Sequence, residues 1–277
     1  MDFEHSERAK GYLARVDLEH ASRVTLSDYR YNRLFAEASG YTHFRYASRD
    51  PRSQVFAGHI RIGLVRALTG GVGGDIAELH PSKRLYAGGS HSVRGYDENM
   101  LGPRVLTVPP DLLAKSGCDT TSVTTLQSCS PDSPSLKNSN FTPRPIGGTS
   151  LLEGSIEVRV PFARKMSWAA FIDGGIVGGS PLQSLQDVAQ VVRGSSAITP
   201  GVGFRYKSPV GPVRVDLGYN PRISERLTVV TTARDATGRT TLVTLEQPRT
   251  YTMGGTATGI LSIFNRMVLH LSIGEAY

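Results

Sequence analysis

The sequence predicts an all-β chain: about eight antiparallel strands that alternate as membrane-crossing barrel strands do. Three observations carry this. Apolar and polar residues alternate with period two in eight segments of about ten residues, the length a tilted strand needs to cross a bilayer. Helical periodicity is poor throughout, and only Leu182 to Val192 has the pattern of a short helix. Finally, the connections alternate between short turns and long polar loops, an asymmetry typical of barrels spanning an outer membrane.

The segments lie near 9–20, 31–44, 53–66, 148–162, 167–177, 198–208, 211–220 and 265–277. In the first, Tyr12, Ala14, Val16 and Leu18 oppose Arg15, Asp17 and Glu19. In the third, Phe56, Gly58, Ile60, Ile62 and Leu64 oppose His59 and Arg61. The fourth sets Leu152, Gly154, Ile156, Val158 and Val160 against Glu153, Ser155, Glu157 and Arg159. Further on, Val202, Phe204 and Tyr206 oppose Arg205 and Lys207, and Val213, Val215, Leu217 and Tyr219 oppose Arg214, Asp216 and Gly218. The last segment sets Met267, Leu269, Leu271 and Ile273 against His270, Ser272 and Gly274. Successive side chains of a strand point to opposite faces, so each segment has one apolar and one polar side. A soluble antiparallel sandwich with one wet face alternates too. The membrane reading is favoured by Arg and Glu on several strands, and by Tyr206, Tyr219 and Tyr277 where an aromatic girdle would lie.

Short turns follow the second, fourth and sixth segments: Ser48 to Ser53 with Asp50-Pro51, Ala163 to Met166, and Ser208 to Pro212. Long loops follow the third, fifth and seventh, at 67–147, 178–197 and 221–264. Within the last, Leu227 to Thr232 and Thr240 to Leu245 flank Asp235-Ala236-Thr237-Gly238 and predict a projecting hairpin.

Composition narrows the function. The 277 residues hold 31 Lys plus Arg and 24 Asp plus Glu, a net charge of +7. The basic residues are interleaved with acids, so no stripe forms a nucleic-acid face. No apolar run is long enough for a membrane-spanning helix. Cys118 and Cys129 cannot by themselves complete a tetrahedral zinc site. A disulfide in an exposed loop and two free thiols both remain open, the former suiting an oxidising compartment. The seven His are scattered with no paired metal spacing. Ser90 and Ser92 merely flank His91, and neither Gly88-Gly89 nor the cluster from Gly70 to Gly74 continues into a nucleotide-binding motif. No catalytic constellation, cofactor site or metal site is expected.

A series of motifs sharpens the reading. It runs through Arg84-Leu85-Tyr86-Ala87-Gly88-Gly89-Ser90, Ser92-Val93-Arg94-Gly95-Tyr96 and Leu101-Gly102-Pro103-Arg104. It continues through Gly147 to Glu157, Phe171-Ile172-Asp173-Gly174-Gly175, Thr199 to Tyr206, Ser208 to Asp216, and Ser272 to Tyr277. In this order, from about residue 9 to the C-terminus, the series resembles the C-terminal barrel of the BamA/TamA-like family of outer-membrane protein insertases, also called bacterial surface antigens. The resemblance implies a sixteen-stranded barrel of which this chain is the C-terminal half. The whole chain is then one barrel domain, truncated at its N-terminus or closed by another chain. Met1, Asp2 and Glu4 open no export signal, and the POTRA domains that precede the family's barrel are not seen.

The resemblance also implies that loop 67–147 folds back into the barrel lumen. The motif Val93, Arg94, Gly95, Tyr96 would stand at its tip, with Arg94 meeting Glu157 and Asp173. The residues agree independently, since both acids fall on polar strand faces and a guanidinium fork suits carboxylates. The closing segment, with Leu269, Leu271, Ile273, Gly274 and Tyr277, resembles the C-terminal β-signal of outer-membrane barrels, although the family's usual last residue is Phe. The function implied is non-enzymatic insertion of client barrels at a lateral seam in the outer membrane of a bacterium with two membranes. The implied partners are the lipid bilayer, unfolded outer-membrane proteins, and periplasmic or lipoprotein accessory subunits. Alternatives are a translocation pore of the same superfamily (two-partner secretion or a patatin-fused barrel) and a small structural or binding barrel.

Overall fold

The computed structural model describes residues 11–25, 27, 29–44, 54–68, 79–178, 196–209, 211–234, 238–253 and 260–274. Several expected features lie outside these: the lead-in at 1–8, the turn from Ser48 to Ser53, the Gly70 to Gly74 cluster, the short helix at Leu182 to Val192, the hairpin tip at Asp235 to Thr237, and Tyr277.

The chain divides into two units. The first comprises Met1–Pro103, Gly147–Pro221 and Met267–Tyr277; the second comprises Arg104–Ile146 and Arg222–Arg266.

The first unit contains β1 (Gly11–Ala21), β2 (Tyr31–Phe44) and β3 (Gln54–Ala67). Past two short strands of the second unit, β4 (Arg104–Thr107) and β5 (Thr142–Pro145), it continues with β6 (Ser150–Ala163), β7 (Met166–Gly178), β8 (Ser196–Ser208) and β9 (Gly211–Tyr219). Its last strand is β14 (Met267–Ile273). These form one eight-stranded antiparallel sheet in the order β1-β2-β3-β6-β7-β8-β9-β14. They are the eight strands expected from the alternation. Among the described residues, β1 and β14 are the sheet's edges.

The faces of this sheet are the reverse of a soluble protein's. On β6, Leu152 and Ile156 are 46% and 55% exposed, whereas Glu153 and Glu157 between them are 3% and 0%. The same alternation sets exposed Trp168 and Ile172 against buried Asp173, and exposed Leu269 and Leu271 on β14 against buried Arg214 and Asp216 on β9. In water, such a sheet would forfeit the favourable burial of every outer Leu, Ile and Val, about 1.5–3 kcal/mol each. An apolar face this continuous requires an apolar surrounding. The register also carries a charge ladder across the inner face: Arg15 opposes Glu37, Glu37 opposes Arg61, and Arg61 opposes Glu153. Opposite charges directly across a strand pair attract, so the ladder favours this register over a slipped one.

The second unit adds β10 (Ser224–Leu227), β11 (Val229–Arg234), β12 (Thr240–Thr244) and β13 (Arg249–Thr252). It also holds α1 (Pro110–Lys115), α2 (Val123–Gln127) and α3 (Ile260–Phe264). A four-stranded sheet runs β12-β11-β4-β5, and β10 pairs with β13. Leu106, Val108, Leu113, Leu126, Phe141, Val229 and Val243 form its buried core. Its β11–β4 pairing is parallel, unlike every other pairing among the described strands.

Two expectations about the loops change here. The long loop 67–147, expected as one lumen-inserting segment, divides at Pro103, because Arg104–Ile146 joins the loop after β9 to build a separate apolar core. The hairpin expected from Leu227 is shorter, because Leu227 pairs with Arg249 in β10–β13 while the Thr228 carbonyl accepts the Leu106 N–H. Both departures have one cause: these contacts join loops far apart in sequence, which a local pattern does not encode.

Cys118 and Cys129 are joined in a disulfide within the second unit, and Cys129 lies in its core. Replacing both by Ser is expected to destabilise this unit by up to about 3 kcal/mol, from the loop-closure entropy of so short a ring. Limited proteolysis with and without reductant checks it: cleavage within 104–146 should accelerate while strands of the first unit stay protected.

Candidate functional site

The site is built on the inner face of β6–β9, where alternation places ionised side chains from adjacent strands side by side. Segment 79–103 lies against this face. Its root is fixed where Lys83 Nζ donates to Glu19 Oε1 at 2.6 Å, an oxygen that also accepts the Tyr31 hydroxyl. Bridges of Leu85 to Gly148 and of Ala87 to Leu101 fold it into a compact turn.

Arg94 stands at its centre, 1% exposed. Its Nε and Nη2 donate to the two oxygens of Asp173, each at 2.8 Å, a bidentate fork, while its backbone N–H donates to Asp173 Oδ2 at 3.0 Å. Nη1 donates to Glu157 Oε2 at 2.6 Å, and Nη2 also donates to Ser155 Oγ at 3.1 Å. The guanidinium carbon lies 3.4 Å from the Phe171 ring centroid, so the cation is stacked as well as forked. Burial pulls the guanidinium's pKa down, but hydrogen bonding and charge from Asp173, then Glu157, outweigh it and hold the pKa above its ordinary value.

The network extends to three more strand arginines. Arg205 Nη2 donates to Glu157 Oε2 at 3.0 Å and its Nη1 to Asp216 Oδ1 at 2.5 Å. Arg214 Nη2 donates to Asp216 Oδ2 at 2.8 Å and to the Ser90 carbonyl at 3.0 Å, and Arg159 Nε reaches Glu157 Oε1 at 2.7 Å. Nearby, Glu153 takes Arg61 on one oxygen and the Ser92 hydroxyl on the other, each at 2.6 Å. Each carboxylate thus meets both strand and loop partners. Buried ions cost several kcal/mol each to desolvate, and these contacts offset that cost for the carboxylates, whereas Arg205 Nε and Arg214 Nε and Nη1 are buried without a hydrogen-bond acceptor.

Two glycines admit the backbone. A Cβ on Gly218 of β9 would strike the Arg94 carbonyl, and one on Gly95 would strike the Thr199 side chain. The same Arg94 carbonyl lies 3.0 Å from His270 Nε2 on β14.

The residues singled out by sequence therefore fall into two groups. Val93, Arg94, Gly95 and Tyr96 are all buried, and Arg94 meets Glu157 and Asp173. Leu269, Leu271 and Ile273 lie on the opposite, outward face; Gly274 follows with its N–H on the Pro212 carbonyl. Sequence reading missed Ser155, Phe171, Arg205, Arg214, Asp216 and His270 as members of the site. For the charged ones the signal was present, because each lies on the polar parity of its strand; what was absent was the register that sets them level. Phe171 gave no signal, an aromatic on the polar parity being indistinguishable from a packing residue.

Arg94→Ala is expected to cost about 3–5 kcal/mol, because Asp173 and Glu157 are left buried without their partner. Arg94→Lys should recover only part, since an ammonium cannot make the fork. Gly218→Ala should cost about 1–3 kcal/mol by displacing the Arg94 carbonyl. Protease cleavage within 79–103 and the temperature of the folded-to-unfolded gel-mobility shift read all three; Arg94→Ala with parental protection would refute the anchoring.

A family model described as the Omp85 superfamily domain matches residues 9–226. Among solved structures, the chain is similar to BamA from Haemophilus ducreyi lacking POTRA domains 1-3, with a TM-score of 0.52 and 17% identity over 77% of this chain and 35% of that one. At that identity the likeness shows the fold, and the chain spans about a third of that protein's length. An antiparallel sheet with a buried ionised face and an apolar outer face is the same architecture reached from the residues. The chain belongs to the Omp85 superfamily.

Proposed function

We propose that this chain is the C-terminal part of an outer-membrane barrel that inserts client β-barrels, without enzymatic chemistry, by pairing client strands with the edge at β14. The observation that carries this is the inverted sheet itself, an apolar outer face over a buried ionised one, in a chain of this superfamily. β14, the last strand of the sheet, pairs with β9 through seven residues. A strand edge in hydrocarbon leaves backbone groups unsatisfied at several kcal/mol each, so it recruits another strand. Superfamily membership supports the assignment to protein insertion or translocation. The partners are then the outer-membrane bilayer, unfolded barrel clients and accessory subunits on the periplasmic side.

The buried network favours insertion over an open translocation pore. Segment 79–103 lies on the inner face by at least six charge-assisted contacts through Arg94, Ser92 and Arg214. A freely conducting channel along that face would have to break them.

Depleting the protein is expected to lower the heat-modifiable, folded fraction of outer-membrane barrels. Cysteines placed at Val268 or Ser272 should form disulfides with the terminal strand of a client trapped during assembly. Undiminished client folding, together with accumulation of a secreted substrate in the periplasm, would assign the protein to translocation instead.

A further inference from the structure

The last pairing of the eight-stranded sheet is its shortest among the described residues. Seven paired residues hold β14 to β9, whereas β2 and β3 share fourteen. Leu269, Leu271 and Ile273 of β14 face outward. Val268, His270 and Ser272 stand on its inner face, because successive side chains point to opposite sides. Val268 offers no hydrogen bond, and Ser272 Oγ is buried without a partner. Among the described residues, His270 therefore carries the side-chain hydrogen bond by which β14 reaches beyond the sheet. Its Nε2 lies 3.0 Å from the Arg94 carbonyl oxygen. A carbonyl only accepts, so Nε2 is the donor.

The same carbonyl is fixed by β9. A Cβ on Gly218 would strike both the oxygen and the carbon of the Arg94 carbonyl. Gly218 pairs with Val268, and Asp216, two residues earlier, pairs with His270. The Arg94 peptide group thus lies on β9 beside β14, within reach of His270. Its place there is set by its own side chain, whose guanidinium is forked on Asp173 of β7. The seating of segment 79–103 and the pairing of β14 therefore meet in one hydrogen bond. Two events that share a contact are coupled reciprocally: the factor by which the seated segment favours paired β14 is the factor by which paired β14 favours the seated segment.

We propose that His270 is a positioning residue for the insertion edge, making the pairing of β14 with β9 depend on segment 79–103 being seated. With the Arg94 carbonyl in place, His270 holds β14 on the sheet. When the segment shifts, β14 keeps only its short ladder and is released more readily to a client strand. The proposal rests on the reading of β14 as the client edge and adds the control of that edge by the segment.

Amide hydrogen exchange of the full chain in lipid nanodiscs tests this. His270→Leu removes the donor, and His270→Gln keeps one, because a glutamine Nε2 stands at nearly the same reach from the backbone. His270→Leu is expected to speed exchange of 267–273 and of 79–103 by a common factor of about two to ten, the size of one hydrogen bond, with β2 and β3 at the parental rate. His270→Gln should restore both segments. In a Gly218→Ala background, where the Arg94 carbonyl is displaced, His270→Leu should add nothing further. Four results overturn the proposal: parental exchange of 267–273 in His270→Leu, an undiminished effect in the Gly218→Ala background, no restoration by His270→Gln, or quickened exchange throughout the sheet. Capture of a client strand by a cysteine at Val268 should rise in His270→Leu along with the exchange of β14. Quickened exchange with unchanged capture overturns the reading of β14 as the client edge and leaves its coupling to the segment standing.

Discussion

The constraint on which everything else depends is the inversion of the sheet. Its ionised side is buried and its apolar side is exposed, as Glu157 beside Ile156 and Asp173 beside Ile172 make plain. A lipid surround satisfies the outer face at no cost in hydrophobic burial, but it leaves the inner face needing a partner of its own. Three inner carboxylates, Glu157, Asp173 and Asp216, would repel one another in a medium of low dielectric constant. Arg94 resolves this by coming within 4.0 Å of all three from a segment that is not part of the sheet. The strand arginines Arg159, Arg205 and Arg214 add to it, so that four guanidiniums face the three carboxylates.

Seen this way, the inserted segment and the sheet stabilise each other. The segment buries Leu79, Leu85, Ala87, Val93, Tyr96 and Leu101, so apolar contacts and the ion network order it together. The sheet without the segment would expose or strand its buried carboxylates. Gly218 is where the two are fitted, because only a residue without a side chain lets the Arg94 backbone lie on β9. His270 joins the edge strand β14 to the same point through the Arg94 carbonyl. The edge proposed to receive client strands is therefore one contact away from the loop tip, which links the order of the segment to the order of that edge.

Much of this was legible in the residues. Period-two alternation gave the eight sheet strands because each strand has two unlike environments, lipid on one side and a polar interior on the other. The Arg94, Glu157 and Asp173 meeting could be anticipated from strand parity and from the motif series. The rest was hidden for physical reasons. The second unit is held by contacts between Leu106 and Val229 or between Gln127 and Glu246, more than a hundred residues apart, and no local period announces them. The Phe162, Trp168 and Phe204 rings lie on different strands and meet only through the register. The full ion network needed the same information.

The central claim is tested most directly by moving a single tryptophan between the two faces. In a Trp168→Phe background, tryptophan is placed at Ile172 or at its neighbour Phe171, and at Leu152 or at Leu151, in vesicles containing brominated acyl chains. Strong quenching at 172 and 152 with little at 171 and 151 is the predicted result. Equal quenching at neighbouring positions, or the opposite order, would contradict the inverted sheet and with it the reason for a buried Arg94.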